Sequence, residues 1–264
     1  MYDHVRSLLR LVFVSALALT LKTASAQSMP PSGSFGYLLN ATYSDPSNEN
    51  GLAILGVINF DGAGNVTGSY TTEQGSSPTN SSQPVTGTFT GTYSSNADGT
   101  ATLTTTADNG TTFTFAMVMT DGGQGLQFVA TNCPCNMSTT IFSGVARTAY
   151  TGSLNASSYG FQATNSPTPA ASLGLVKFDG AGNVSMSVTF VGLSGASGQP
   201  NVFTGTSTGT YSSNPDGSGA FTLTAANGNM QTYVFVITDG GSGILLLQTN
   251  RAGNGVSFGT GRLQ

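Results

Sequence analysis

The sequence predicts an all-β protein built as two tandem eight-stranded antiparallel up-and-down β-barrels, with two β-sandwiches as the alternative. Three observations predict it. After residue 26 apolar residues recur at period two and nowhere at helical spacing. Tight Asp/Gly/Asn clusters separate the alternating segments, as hairpins require. The chain also repeats itself: FDGAGNV stands at 60–66 and 178–184, GTYSSNADG at 91–99 faces GTYSSNPDG at 209–217, and TDGGQG at 120–125 faces TDGGSG at 238–243, all 118 residues apart.

Residues 1–26 read as a secretory signal: Arg6 and Arg10 lead an apolar run from Leu11 to Leu21, and Ala24-Ser25-Ala26 forms the small-residue cleavage site. An eleven-residue run is too short to span a bilayer. Export to the periplasm, the cell surface or the medium follows, with no membrane insertion of the mature chain. Residues 27–34 then form a flexible N-terminus, 35–147 the first barrel, 148–156 a linker and 157–264 the second barrel. Without the signal the chain keeps ten acidic and four basic residues and loses its single histidine, His4. That charge balance disfavours nucleic acid as a partner, and the missing imidazole removes His-based triads and His-ligated metals. No cofactor is expected.

Within the first repeat the strands fall near 35–43, 53–60, 66–73, 85–94, 100–107, 112–120, 125–132 and 140–147. Val85, Gly87, Phe89, Gly91 and Tyr93 alternate with threonines, and Phe113, Phe115, Met117 and Met119 alternate with Thr114, Ala116 and Val118. Eight consecutive hairpin-linked strands close most simply as a meander, which leaves no open edge. The tight Asp-Gly turns after strands 2, 4 and 6 then share one end. The long segments 44–51, 73–84 and 132–138 share the other, the mouth.

In FDGAGNV the aspartate can accept from following backbone amides while Gly62 and Gly64 supply positive φ, so the segment reads as a turn. One carboxylate and Asn65 fall short of a calcium shell. The predicted interior gives the candidate ligand-binding set: Tyr70, Phe89, Tyr93, Phe113, Phe115, Met117 and Phe128 in the first barrel, with Val188, Phe190, Tyr211, Tyr233 and Phe235 in the second. Glycines 56, 68, 87 and 91 would leave space beside them. A small apolar molecule or a glycan is the expected ligand, unless the side chains fill the barrels.

Phe35-Gly36-Tyr37 and Tyr159-Gly160-Phe161 at the start of strand 1, with Arg147 and Arg262 closing strand 8, resemble the end-closing device of lipocalin and avidin-type barrels. That resemblance implies an arginine packed over an aromatic ring, with Tyr37 and Phe161 as the rings. A salt bridge from each arginine to a turn aspartate is the alternative. The longer repeated blocks and the terminal G.GR resemble tandem repeats of secreted bacterial β-proteins, a likeness that implies no activity.

Outward rows differ. Leu55, Val57, Ala116, Val118 and Val129, repeated as Leu173, Leu175, Val234, Val236, Leu245 and Leu247, form apolar patches on strands 2, 6 and 7. The two barrels are expected to dock through these strands in a roughly two-fold arrangement. Thr86, Thr88, Thr90 and Thr92 beside Thr102, Thr104 and Thr106 present hydroxyls as good exposed strand residues do, with a second copy diluted by Ser207 and Ala220. Cys133 and Cys135 could close a short disulfide in an oxidising compartment but lack two ligands of a zinc set. Glu49 and Glu73, the only glutamates, read as solvated mouth-loop residues, which leaves a carboxylate glycosidase a distant alternative. A non-enzymatic exported binding protein is the leading expectation, and a structural or adhesive surface protein the next.

Overall fold

The computed structural model describes residues 33–43, 51–75, 84–96, 98–132, 140–166, 170–193, 199–250 and 256–264. The first repeat forms β1 (Gly33–Tyr43), β2 (Leu52–Phe60), β3 (Asn65–Gln74), β4 (Val85–Ser95), β5 (Thr100–Ala107), β6 (Thr112–Thr120), β7 (Gly125–Asn132) and β8 (Thr140–Thr148). The second forms β9 (Ser157–Ser166), β10 (Ala170–Phe178), β11 (Asn183–Leu193), β12 (Pro200–Ser213), β13 (Ser218–Ala225), β14 (Met230–Thr238), β15 (Gly243–Gln248) and β16 (Val256–Leu263). Each strand pairs antiparallel with the next, β8 closes on β1 and β16 closes on β9, so the architecture is two closed eight-stranded barrels. The sandwich alternative falls away.

Turn chemistry explains the closed end. Asp61 Oδ1 accepts from the backbone N–H of Ala63 at 2.7 Å and of Asn65 at 2.9 Å, and Oδ2 accepts from Asn65 Nδ2 at 2.6 Å. Asp179 repeats the pattern at 2.7, 2.9 and 2.5 Å. Gly62 and Gly64 take φ of 77° and 97°, values open to glycine at little steric cost. Every carboxylate oxygen in this turn is therefore used by the turn itself. The 3-10 turns at Asp121–Gly123 and Asp239–Gly241 work differently: their aspartates adopt φ of 52° and 54° and offer their carboxylates to the last strand.

Each barrel has its own core. In the first, Phe60 meets Phe35 and Tyr93 edge-on at centroid distances of 5.7 and 5.1 Å; in the second, Phe178 meets Tyr211 at 4.9 Å and Phe221 at 5.9 Å. Residues 149–156 are not a free tether. Tyr150 N–H donates to Ile237 O at 2.9 Å, and Leu154 is buried in the second core, where its carbonyl accepts from the Tyr211 hydroxyl at 3.4 Å.

A third apolar cluster joins the barrels, Leu38, Ala53, Leu55 and Val57 against Val236, Leu245, Leu247 and Val256. The expected two-fold docking is corrected here. The first barrel contributes β1 and β2, the second contributes β14, β15 and the start of β16, and the contact runs head to tail. Val118, Val129 and Leu173, expected at the seam, are 46 %, 42 % and 66 % exposed. Close approach decides the geometry: at Gly36 a methyl would lie 2.5 Å from Val236 Cγ1 and 3.0 Å from Thr238 Cγ2, so only a glycine lets β14 lie against β1.

Candidate functional site

The first barrel is solid at its turn end and hollow toward its mouth. Phe35, Phe60, Val66, Met117 and Leu126 pack the closed half. Above them lies a cavity of about 280 Å³. Its floor and walls are apolar, from Ile58, Leu103, Phe115 and Phe128 below to Ile54, Phe113 and Phe142 above, with Thr72, Thr105, Asn109 and Thr111 nearer the opening. Inward residues on β2 and β5 there, Ile54, Thr105 and Ala107, are aliphatic or small, which leaves room between the rings of Phe89, Phe113 and Phe142.

Of the predicted interior set, Tyr70, Phe89, Phe113, Phe115 and Phe128 line the cavity. Tyr93 and Met117 belong to the packed half below it. In the second barrel Tyr211, Tyr233 and Phe235 are core: Tyr233 stacks on Phe221 at 4.8 Å, Phe235 lies 5.5 Å from Phe178, and Val188 packs against the same cluster. Phe190 pairs across the sheet with Phe203, whose side chain is 61 % exposed.

The glycines expected to leave space do the reverse. Across the ladder Phe89 faces Gly68 and Tyr70 faces Gly87, each ring lying where a methyl on the glycine would stand, and Tyr37 faces Gly56, where the Ser69 carbonyl oxygen and the Tyr37 hydroxyl take that place. An aromatic ring over a cross-strand glycine closes the sheet without a hole. Tyr37 is thereby a wall of the cavity, with its hydroxyl donating to Ser69 O at 3.2 Å. Burial, then the neighbouring Tyr70, pushes its phenol far above the ordinary range, so it stays a neutral donor.

Sequence reasoning missed the polar feature of the mouth. Asp108 Oδ2 accepts from the Thr88 backbone N–H at 2.9 Å, and Oδ1 accepts from the Tyr70 hydroxyl at 3.2 Å. The Thr88 amide first, and then Tyr70, hold the Asp108 carboxyl below its usual value; burial, followed by this carboxylate, raises the Tyr70 phenol. An ionised acceptor is thus fixed beside the opening. The signal lay in the duplication, because Tyr70 and Asp108 become Val188 and Ala226 in the second copy while the flanking Asn109 is kept as Asn227. Leu39, Ile54 and Phe142 were also missed, since their strands carry apolar residues on both faces.

The lipocalin-like closure is corrected. Arg147 pairs with Asp121, and Arg262 pairs with Asp239 at 2.5 Å, so both arginines meet turn carboxylates. Tyr37 and Phe161 point into the barrels, whereas Arg147, next to inward Ala146 on β8, points out. Glu73 is not solvated: it sits in β3 opposite Ala53, beside the inter-barrel seam, and is 1 % exposed. Glu49, Cys133 and Cys135 lie outside the described residues. The threonine rows do face out, Thr90 beside Thr106 and Thr92 beside Thr104. Ser207 is not part of that face in the second copy; it aligns with Phe89 and is buried inside the barrel.

No family model matches the chain, and no curated protein matches it. Among solved structures it is similar to intact Ap-TbpB with its N and C lobes, at 7 % identity over 92 % of this chain and 79 % of that one, TM-score 0.31. A double mutant of transferrin binding protein B from Haemophilus parasuis Hp5 gives 7 % over 92 % and 78 %, TM-score 0.31. CghA with Sch210972 gives 8 % over 88 % and 89 %, TM-score 0.26. Scores of this size assign neither ligand nor activity. No helix among the described residues is long and apolar enough to cross a membrane.

Proposed function

We propose that this is an exported, non-enzymatic binding protein whose first barrel takes one small apolar molecule through its mouth, with a hydrogen-bond donor of that molecule turned toward Asp108. The observation that carries the reading is the cavity in the mouth half of that barrel, apolar on its walls and with the Asp108–Tyr70 pair beside its opening. Binding pockets combine such walls with a few placed polar groups. An apolar ligand fits these walls better than a glycan, whose hydroxyls would meet Ile54, Phe113 and Phe142 without partners.

Size sets the ligand class. A cavity of about 150 Å³ holds one benzene ring, so 280 Å³ suits a bicyclic aromatic of roughly eleven non-hydrogen atoms. At about 0.5 kcal/mol per atom, inside the observed range, that is about −5.5 kcal/mol. The corresponding Kd is about 0.1 mM. Titration calorimetry with 2-naphthol is expected to give one site of that order, lost in Ala107→Phe, which fills the opening. Native mass spectrometry of the purified protein should also detect any retained molecule. Absence of 2-naphthol binding at millimolar concentration, or binding indifferent to Ala107→Phe, would overturn the proposal.

A further inference from the structure

The inter-barrel seam uses two different faces, and each repeat owns a copy of both. The first barrel gives its β1–β2 face: Gly36, Leu38, Ala53, Leu55 and Val57. The second gives its β14–β15 face: Val234, Val236, Leu245 and Leu247. The counterparts are left open. On β9 and β10 they are Gly160, Ala171, Leu173 and Leu175, and on β6 and β7 they are Ala116, Val118 and Val129. Leu173 is 66 % exposed and lines a groove along β10–β12 together with Gly160 and Leu175; Val118 and Val129 are 46 % and 42 % exposed.

We infer that the protein associates head to tail with a second copy of itself, the β9–β10 face of one chain docking on the β6–β7 face of the next. The occupant is argued from the interface the chain already makes. Gly36 admits Val236 at the seam, and the same repeat positions are Gly160 and Val118. The backbone follows suit. Ala149 N–H donates to Ser34 O and bridges to Thr238 across the seam; its counterpart Gln264 donates to Ser158 O at 2.9 Å, and the counterpart of Thr238 is Thr120. The Gln264 side chain covers Gly160, where the incoming Val118 would sit, and this long exposed side chain can swing aside.

A contact between unlike faces is not self-complementary, so each docked copy leaves one face free at its end, and the assembly grows past the dimer into a ring or a filament according to the rotation per copy. The open β6–β7 face is also more polar than its counterpart at the seam, with Gln127 in place of Leu245. Association is therefore reversible and concentration-dependent.

Sedimentation velocity of the purified protein across a concentration series tests this. The expected result is a weight-average mass that rises past the dimer. Val118→Lys, Val129→Lys and Leu173→Glu each return a monomer with unchanged far-UV circular dichroism, since all three positions are exposed. An equimolar mixture of Val118→Lys and Leu173→Glu has one good pair of faces and is expected to stop at a dimer. A wild-type mass of one chain up to about 1 mM overturns the inference. So does a mixture of the two folded variants that stays monomeric, or variants that oligomerise as the wild type does.

Discussion

Gly36→Ala probes the seam at its tightest point. The new methyl would stand 2.5 Å from Val236 Cγ1, against an ordinary contact of 3.4 Å, so one side must yield by about 0.9 Å. Overpacking of this kind costs about 1–3 kcal/mol. Val236→Ala removes the obstructing methyl and by itself loses about 2 kcal/mol of buried valine. In the double variant the alanine at 36 meets only Thr238 Cγ2 at 3.0 Å and the Cβ of residue 236 at 3.1 Å, a smaller overlap than the 2.5 Å contact that is removed. The double variant is therefore expected to be destabilised by about 2–3 kcal/mol rather than the 4 that addition gives, a coupling of about 1–2 kcal/mol. Differential scanning calorimetry of the four proteins reads this directly. Additivity to within about 0.5 kcal/mol would refute the claim that glycine 36 exists to admit valine 236.

Two further outcomes follow from the turns. The Asn65 and Asn183 side chains first, then the backbone amides, hold Asp61 and Asp179 below the ordinary aspartate value of 3.8. Their folded pKa is lowered, so the unfolded chain binds more protons between the two values; their contribution is complete above about pH 4 and is lost as pH falls through the folded value. Melting temperature against pH should flatten in this acid range in an Asp61→Asn/Asp179→Asn variant, and an unchanged slope would count against the turn account. Asp239 carries a φ of 54° beside an exposed ion pair to Arg262. Asp239→Gly is expected to change stability by no more than about 1 kcal/mol, because exposed pairs contribute little. Asp239→Ala should be worse by about a further 1–2 kcal/mol for the left-handed backbone, and equal losses in denaturant melts would show that the ion pair dominates.

The barrels were legible because their information is local. Period-two alternation gives the strands, Asp-Gly turns give the hairpins, and a meander of eight has one closed solution. Those rules also separate the tight end from the mouth. What they cannot reach is the choice between equivalent surfaces. Leu55 and Leu173 occupy the same position of the same repeat, yet one is 2 % and the other 66 % exposed. Alternation says that both point outward and nothing about which outward row another barrel will cover. Glu73 was misread for the same reason: a carboxylate near a predicted loop looks solvated until the neighbouring domain arrives. Tyr37 was assigned to closure by its motif, although its parity with inward Phe35 already placed it inside.

The duplication itself locates the site. Toward the turn end the two barrels share the central ring pair, Phe60 with Phe178 and Tyr93 with Tyr211, because those rings fill the closed half of each barrel, and Met117 is replaced by a further ring, Phe235. Toward the mouth the lining diverges at four apolar positions: Ile54, Phe89, Phe113 and Phe142 in the first barrel become Ser172, Ser207, Gln231 and Ser257 in the second. Ser207 and Ser257 are nevertheless buried. Buried hydroxyls need hydrogen-bond partners, so at these positions the second interior suits water or polar groups and the first suits hydrocarbon, while Thr72 and Thr105 change the other way, to Phe190 and Leu223. Closure of the sheet needs only the shared half. The diverged half is free of that duty, and it is where the two copies acquired different chemistry.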